Sequence, residues 1–247
     1  MVVNDFGQKN RFQSALGTIL EKNEFYKKKF GASGIDSAQQ IKFWEDYCQL
    51  PLSTKDELVA DQISYPPYGT NLTFPEPHYT RIHQTSGTTG QPLRWLDDTD
   101  SWNWWGKCWK DVYQAAGVSV EDRIFFAFSF GPFIGFWSAF EGAKQLGALG
   151  IPGGGMTSLQ RLRAIIANRI TVLVCTPTYA LHLAEIAHSE NINIVDSDVQ
   201  VTIHAGEPGA SLPATSQRIA EAWGAVCYDH TGATEVGAWG FMCEAQD

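Results

Sequence analysis

The sequence predicts an α/β fold: largely parallel sheets flanked by helices, preceded by a helical N-terminal lead. Three observations predict it. From residue 99 onward, short apolar runs alternate with helix-length segments, the reading of parallel strands joined by crossover helices. Glycine-bearing turns stand at the ends of several of these runs. And 44% of the 247 residues are hydrophobic, enough to bury a sizeable core.

The lead comes first. Residues 8–30 read as an amphipathic helix, with Phe12, Leu16, Ile19, Leu20 and Phe25 roughly along one face and a close at Gly31–Gly34. A second helix is expected from Asp36 through Tyr47. Ser53 or Thr54, standing before Asp56 and Glu57, marks a third helix start. Prolines and Gly69 make residues 65–77 a loop. The expected organisation is therefore a lead over residues 1–75 packed on an α/β body over 76–247. In the body, helices are expected at 99–116, 135–147, 158–168, 179–189 and 211–223. Strands are expected at 123–129, 148–151, 171–175, 199–204 and 225–228. Trp102, Trp104, Trp105 and Trp109 crowd the first of these helices.

Composition narrows the function classes. The net charge is −9, and the basic run Lys27-Lys28-Lys29 reads as one helix surface. Nucleic acid is not an expected partner, since phosphate-backbone binding relies on clustered Lys and Arg. The five cysteines are scattered, odd in number and without a Cys-x-x-Cys pair, which points to a reducing cytoplasm. Cys243 with His204 or His230 fits no standard zinc spacing. Residues 124–140 carry no charge, but Gly131, Pro132 and Gly135 interrupt them. They read as a strand, a glycine turn and the start of a core helix, not a membrane span. No charged-then-apolar signal opens the chain.

The most informative stretch is Thr85-Ser86-Gly87-Thr88-Thr89-Gly90, followed by Gln91 and Pro92. Hydroxyls between glycines suit a loop whose amides and side chains grip phosphate oxygens. The lysine of the NTPase P-loop is missing. Alone, the segment would equally suit a Gly/Thr-rich surface turn. Its company matters: Thr176-Pro177-Thr178-Tyr179, then Ala205-Gly206-Glu207-Pro208, then Asp229-His230-Thr231-Gly232-Ala233-Thr234-Glu235.

With these four motifs in this order, the chain resembles adenylate-forming enzymes, within them the phenylacetate–CoA ligase branch. That family carries a Ser-Ser-Gly-Thr-Thr-Gly-x-Pro loop, a Thr-Pro-Ser-Tyr segment, a Gly-Ala-Glu-Pro turn and a Tyr-Gly-x-Ser/Thr-Glu turn. The resemblance covers most of residues 40–247. It implies activation of a carboxylic acid, aryl or arylacetic favoured, by ATP and Mg²⁺ to an acyl-adenylate, then thioester formation with coenzyme A. Implied partners are the acid, ATP and CoA, with no nucleic acid or membrane; a homodimer is compatible.

The resemblance assigns roles residue by residue. Thr85, Ser86, Gly87, Thr88, Thr89 and Gly90 would hold the ATP phosphates. Ala205, Gly206, Glu207 and Pro208, with Asp229, His230 and Thr231, would surround adenine. Thr234 would bond the α-phosphate, and Glu235 would be the catalytic carboxylate that ligates Mg²⁺. Phe130, Gly131, Phe133, Gly135 and Tyr179 would line the acyl pocket. Three departures stand out. Leu93 replaces the lysine that often follows the loop proline, with Arg94 one step on. Thr231 replaces the usual adenine-stacking tyrosine, leaving Tyr228 and His230 as nearby rings. Ala205-Gly206 reverses the family's Gly-Ala. Relatives also continue into a ribose-binding aspartate, a hinge and a mobile C-terminal domain bearing a lysine, which have no counterpart in this sequence. The expectation is a chain that binds ATP weakly and does not turn over alone. Two alternatives stay open: an adenylating enzyme with an acceptor other than CoA, and a non-catalytic nucleotide-binding or interaction module.

Overall fold

The computed structural model describes residues 5–42, 46–87 and 90–245. Its backbone contacts divide the chain into two compact units, residues 1–98 and 99–247.

The first unit begins with two helices where one was expected, α1 (Asp5–Lys22) and α2 (Glu24–Gly31). The break is Asn23. Its backbone is extended and its side chain accepts the Tyr26 amide at 3.1 Å, so it caps α2. The Asn23 amide also donates to Thr73 Oγ1 at 3.0 Å and Asn71 Oδ1 at 3.3 Å, which suits its 2% exposure. Leu16, Leu20, Phe30, Ile35, Ala38 and Ile41 form the core of this unit.

The helix expected from Asp36 through Tyr47 is overturned among the described residues, with 43–45 outside them. Ser37 and Gln40 close a capping box on a single 3₁₀ turn, Ala38–Gln40, and Ile41 leaves it extended and buried. A second 3₁₀ turn occupies Tyr47–Gln49. Helix α3 (Lys55–Ser64) starts as expected, with Thr54 and Glu57 in a reciprocal capping box. The unit ends in an antiparallel hairpin that sequence reading missed, β1 (Arg81–Gln84) and β2 (Arg94–Asp97).

The second unit is a six-stranded sheet with helices on both faces. Its elements are α4 (Thr99–Ala115), β3 (Arg123–Phe126), α5 (Ile134–Leu146), β4 (Leu149–Pro152), α6 (Ser158–Ala167), β5 (Val172–Cys175), α7 (Pro177–Ser189), β6 (Val201–His204), α8 (Pro213–Trp223), β7 (Val226–Ala233) and β8 (Gly237–Phe241). The strand order is β4-β3-β5-β6-β7-β8. All neighbours are parallel except β8, which runs antiparallel to β7.

Alternation along the strands sorts side chains to two cores. Phe125, Leu173, Cys175 and Cys227 face α6, α7 and α8. Ile124, Phe126, Val172, Val174, Ile203 and Tyr228 face α4 and α5. Helices α4 and α5 approach closely at Gly106 and Gly142. A methyl on Gly142 would sit 2.4 Å from Trp109 Cβ and 3.1 Å from Gly106 O. The tryptophans of α4 mostly serve this packing: Trp102, Trp105 and Trp109 are buried, while Trp104 is 54% exposed. No described helix is long and apolar enough to cross a membrane.

Candidate functional site

The Gly/Thr loop hangs from the β1–β2 hairpin of the first unit. Its base is tied twice: the Thr85 amide donates to Leu93 O, and the Leu93 amide donates to Thr85 Oγ1, both at 3.0 Å. Leu93 is fully buried. The Thr85 hydroxyl therefore secures the loop stem, while Ser86 lies exposed. Gly87 turns with φ +66°, and a methyl there would press within 3.1 Å of Gly90 O and Pro92 N. The Gly90 amide closes the turn on Gly87 O at 3.0 Å. Thr88 and Thr89 lie outside the described residues. Beneath the loop, His83 Nδ1 lies 3.5 Å from Asp97 Oδ2, both side chains nearly buried.

The other three motifs lie in the second unit, and strand register aligns them. Cys175 pairs with His204, and His204 pairs with Asp229. One row across β5, β6 and β7 thus launches Thr176–Tyr179, Ala205–Pro208 and the Asp229 motif side by side. This is the carboxyl edge of the parallel strands, where open α/β sheets place ligands.

Two of the motifs are clasped together. Glu207 Oε1 accepts the Thr178 amide at 2.9 Å and also the Thr178 hydroxyl. The carboxylate thereby caps the first turn of α7. Partial burial alone would raise the Glu207 pKa. The bonds from Thr178, with one from the Thr176 hydroxyl, outweigh it and hold the carboxyl below its ordinary value. Gly206 adopts φ +93°, where a methyl would lie 3.5 Å from Thr176 Cγ2 and 3.7 Å from Phe136 Cζ. The aromatic segment after β3 thus reaches the Ala205–Pro208 turn.

His204 is buried, and burial pushes its pKa down to about 4. It is a neutral imidazole whose Nδ1 lies 3.2 Å from Cys175 O, so Nδ1 carries the donating proton. Burial also pushes the Cys175 thiol well up.

The Asp229–Glu235 motif is not a turn throughout. Residues 229–233 continue β7, with a bulge between Thr231 and Gly232, and the turn is confined to Thr234, Glu235 and Val236. Glu235 is half-buried at the tip of the β7–β8 hairpin. Asp229 is partly buried, which raises its pKa, with Ser211 bonding opposing the shift. His230 points inward, 4.4 Å from the Trp109 ring, with Nδ1 3.1 Å from Gly240 O and burial lowering its pKa to about 4. Tyr228 belongs to the α4–α5 core. Neither ring named as a substitute for the missing tyrosine lies on the surface.

The acyl-pocket candidates divide. Phe130 joins an aromatic cluster with Phe126, Phe140 and Trp137, and Phe128 stacks on Phe136 at 3.4 Å between ring centroids. Gly131 O accepts Trp137 Nε1 at 2.8 Å, and Gly135 O accepts the Ser138 hydroxyl at 2.8 Å. Phe133 is 46% exposed just before α5. Tyr179 instead packs with the α6–α8 core, its hydroxyl 3.0 Å from Ser158 Oγ and its ring under the Arg161 guanidinium at 5.0 Å. Tyr179 and Phe130 therefore belong to opposite faces of the sheet.

Among the described residues no group of three His, Cys, Asp or Glu side chains could hold a metal by itself. Glu235, a hard oxygen donor at the half-buried hairpin tip with Oε1 out of solvent, fits a hard cation that would draw its remaining ligands from a nucleotide and water.

No family model matches the sequence. The chain is 30% identical over 181 residues to a phenylacetate-coenzyme A ligase of Escherichia coli (strain K12), 72% of this chain and 39% of that protein. It is 26% identical over 201 residues to the phenylacetate-coenzyme A ligase of Pseudomonas putida, 81% of this chain and 44% of that protein. Among solved structures, it superposes on 2-hydroxyisobutyryl-CoA ligase in complex with 2-HIB-AMP and CoA, in the thioesterification state. That match has a TM-score of 0.90 and 29% identity, and covers 97% of this chain and 53% of that one. The chain spans about half the length of the relatives it matches.

Proposed function

We propose, from the premise that the chain belongs to the adenylate-forming enzymes, that it carries nucleotide- and acid-binding residues of an AMP-forming acid–CoA ligase. A carboxylate is a poor acyl donor because its leaving group is oxide. Attack of the carboxylate oxygen on the α-phosphorus of ATP expels pyrophosphate and gives an acyl-adenylate. The thiol of CoA then attacks the acyl carbon and releases AMP. Positioning and charge compensation supply most of such a transfer.

In this reading the Ser86–Gly90 loop offers amides and hydroxyls to the β- and γ-phosphates, with Thr85 holding its stem. Ala205–Pro208 lies along adenine. Thr234 meets the α-phosphate, and Glu235 ligates Mg²⁺, which would offset phosphate charge. The aromatic segment 130–137, which approaches Gly206, is the acid's side of the site. The observation that carries the reading is the register row Cys175–His204–Asp229, which brings three of the four motifs to one sheet edge. A solved ligase of the same architecture, described with an acyl-AMP and CoA, supports it. The acid is an aryl or arylacetic acid on the names of the curated relatives, and a small hydroxy acid on that of the structural one. The experiment, in a protein that joins this chain to the further segments its relatives carry, is acid-dependent exchange of labelled pyrophosphate into ATP over a panel of both classes, followed by AMP release on adding CoA. Exchange with one acid class, then CoA-dependent AMP release, is the expected result. Absence of exchange with every acid refutes adenylation; exchange without a CoA response refutes the acceptor.

A further inference from the structure

The loop stem has a second tether that none of the four motifs includes. Gln62 lies on α3, 9% exposed, and its side-chain amide pairs with both backbone groups of Arg94. Nε2 donates to Arg94 O at 2.6 Å, and Oε1 accepts the Arg94 amide at 3.0 Å. One side chain thus imitates a neighbouring strand at the first residue of β2. Arg94 is held again by Nη1, which donates to Pro67 O at 3.1 Å. The residue before it, Leu93, makes both bonds to Thr85 that close the loop. Between α3 and the loop lies a cavity of about 190 Å³, with Val59 and Ile63 on one side and Gln91 and Pro92 on the other. The loop's returning limb therefore borders an open cleft, and the Gln62 amide pair crosses to the residue where that limb enters β2.

We infer that Gln62 is a positioning residue, which through Arg94 and Leu93 holds the phosphate loop's stem in the geometry that receives the β- and γ-phosphates. The inference rests on the ATP reading of that loop. Replacing the amide by Gln62→Met keeps the side chain's length and removes both bonds. Two readouts test it. In amide hydrogen exchange, the Thr85 and Leu93 amides, which Gln62 does not touch, exchange about tenfold faster in the variant. In Mg·ATP and AMP titrations, the Kd for ATP rises about tenfold, equivalent to about 1.4 kcal/mol, while that for AMP stays unchanged. A general loss of packing would move both nucleotides together.

Val59→Ala enlarges the same cavity and breaks no bond to Arg94; it leaves both readouts at the wild-type value. If Val59→Ala reproduces the effect, cavity packing accounts for it and the inference fails. Unchanged exchange at Thr85 and Leu93, or equal shifts for ATP and AMP, also overturns it. If Gln62→Met does not fold, Gln62→Glu keeps the acceptor for the Arg94 amide and loses the donor, and is read by the same criteria. If the wild-type protein binds neither nucleotide, the functional reading fails on its own account. The exchange rates then still decide whether Gln62 holds the stem.

Discussion

Removing the Glu207 carboxylate unclasps two motifs and takes the acceptor from the Thr178 amide in the first turn of α7, while the Thr176 side chain still caps that helix through the Tyr179 amide; the cost can be worked out. Glu207 accepts one amide bond and one hydroxyl bond from Thr178. A hydrogen bond to a charged group contributes about 1.5–3 kcal/mol. Glu207 is only partly buried, so solvent screening brings the figure to the low end, about 1–2 kcal/mol. At roughly 2–4 °C per kcal/mol for a unit of this size, Glu207→Ala lowers the Tm by about 2–8 °C at pH 7. The sign with pH follows from the depressed carboxyl pKa. The clasp stabilises fully above the unfolded value of 4.5 and is lost as pH falls through the folded value. The gap between wild type and variant therefore closes on acidification below pH 4.5. Calorimetric scans across that range, with a Thr178→Val double-mutant cycle, measure it; the coupling expected is about 1 kcal/mol. An unchanged Tm at pH 7, or a gap that widens in acid, would refute the clasp.

Three other outcomes follow from the geometry. Gly142→Ala forces a methyl onto Trp109 Cβ where α4 and α5 meet. It lowers stability by about 1–3 kcal/mol in denaturant titrations. His204 and His230, both held to pKa values of about 4 against an ordinary 6.5, bind fewer protons folded than unfolded. Their stabilisation is complete above pH 6.5 and declines toward pH 4. Urea titrations at pH 7 and 5, with imidazole resonances followed by NMR, check this; an imidazole titrating near pH 6.5 in the folded protein contradicts it. On the proposed function, Glu235→Ala abolishes acid-dependent pyrophosphate exchange in a protein that joins this chain to the further segments its relatives carry; retained exchange removes Glu235 from the metal role.

Periodicity made the sheet and its helices legible, because buried parallel strands such as Val172–Cys175 are short apolar runs that little else imitates. Elements held by polar detail were not legible in this way. Asn23 divides one amphipathic pattern into two helices through bonds to Thr73 and Asn71, some fifty residues away. The Asp36–Tyr47 segment has helical composition, yet the Ser37–Gln40 box closes it within one turn. Strand β1, Arg-Ile-His-Gln, is too polar to announce itself. Strand β8 is interrupted by glycine, and it converts most of the Asp229–Glu235 motif from turn to strand.

The site repeats the contrast. The motifs are legible as words, but their physical roles depend on backbone geometry. Reversal of the family's Gly-Ala to Ala205-Gly206 keeps both residues small, so sequence alone does not say which position needs the glycine. In the structure Ala205 is buried beside the α4–α5 core, and Gly206 takes a left-handed φ against Thr176 and Phe136. At this turn the glycine is needed at the second position, and any side chain there would strain the backbone. Thr85 makes the same point: it belongs to a hydroxyl-rich run, yet its oxygen is committed to the Leu93 amide, within the stem that Gln62 braces one residue further on. A stem-holding hydroxyl, Thr85, and an exposed one, Ser86, are thus neighbours in one short loop. Motif matching treats the two alike, and hydrogen-bond partners separate them.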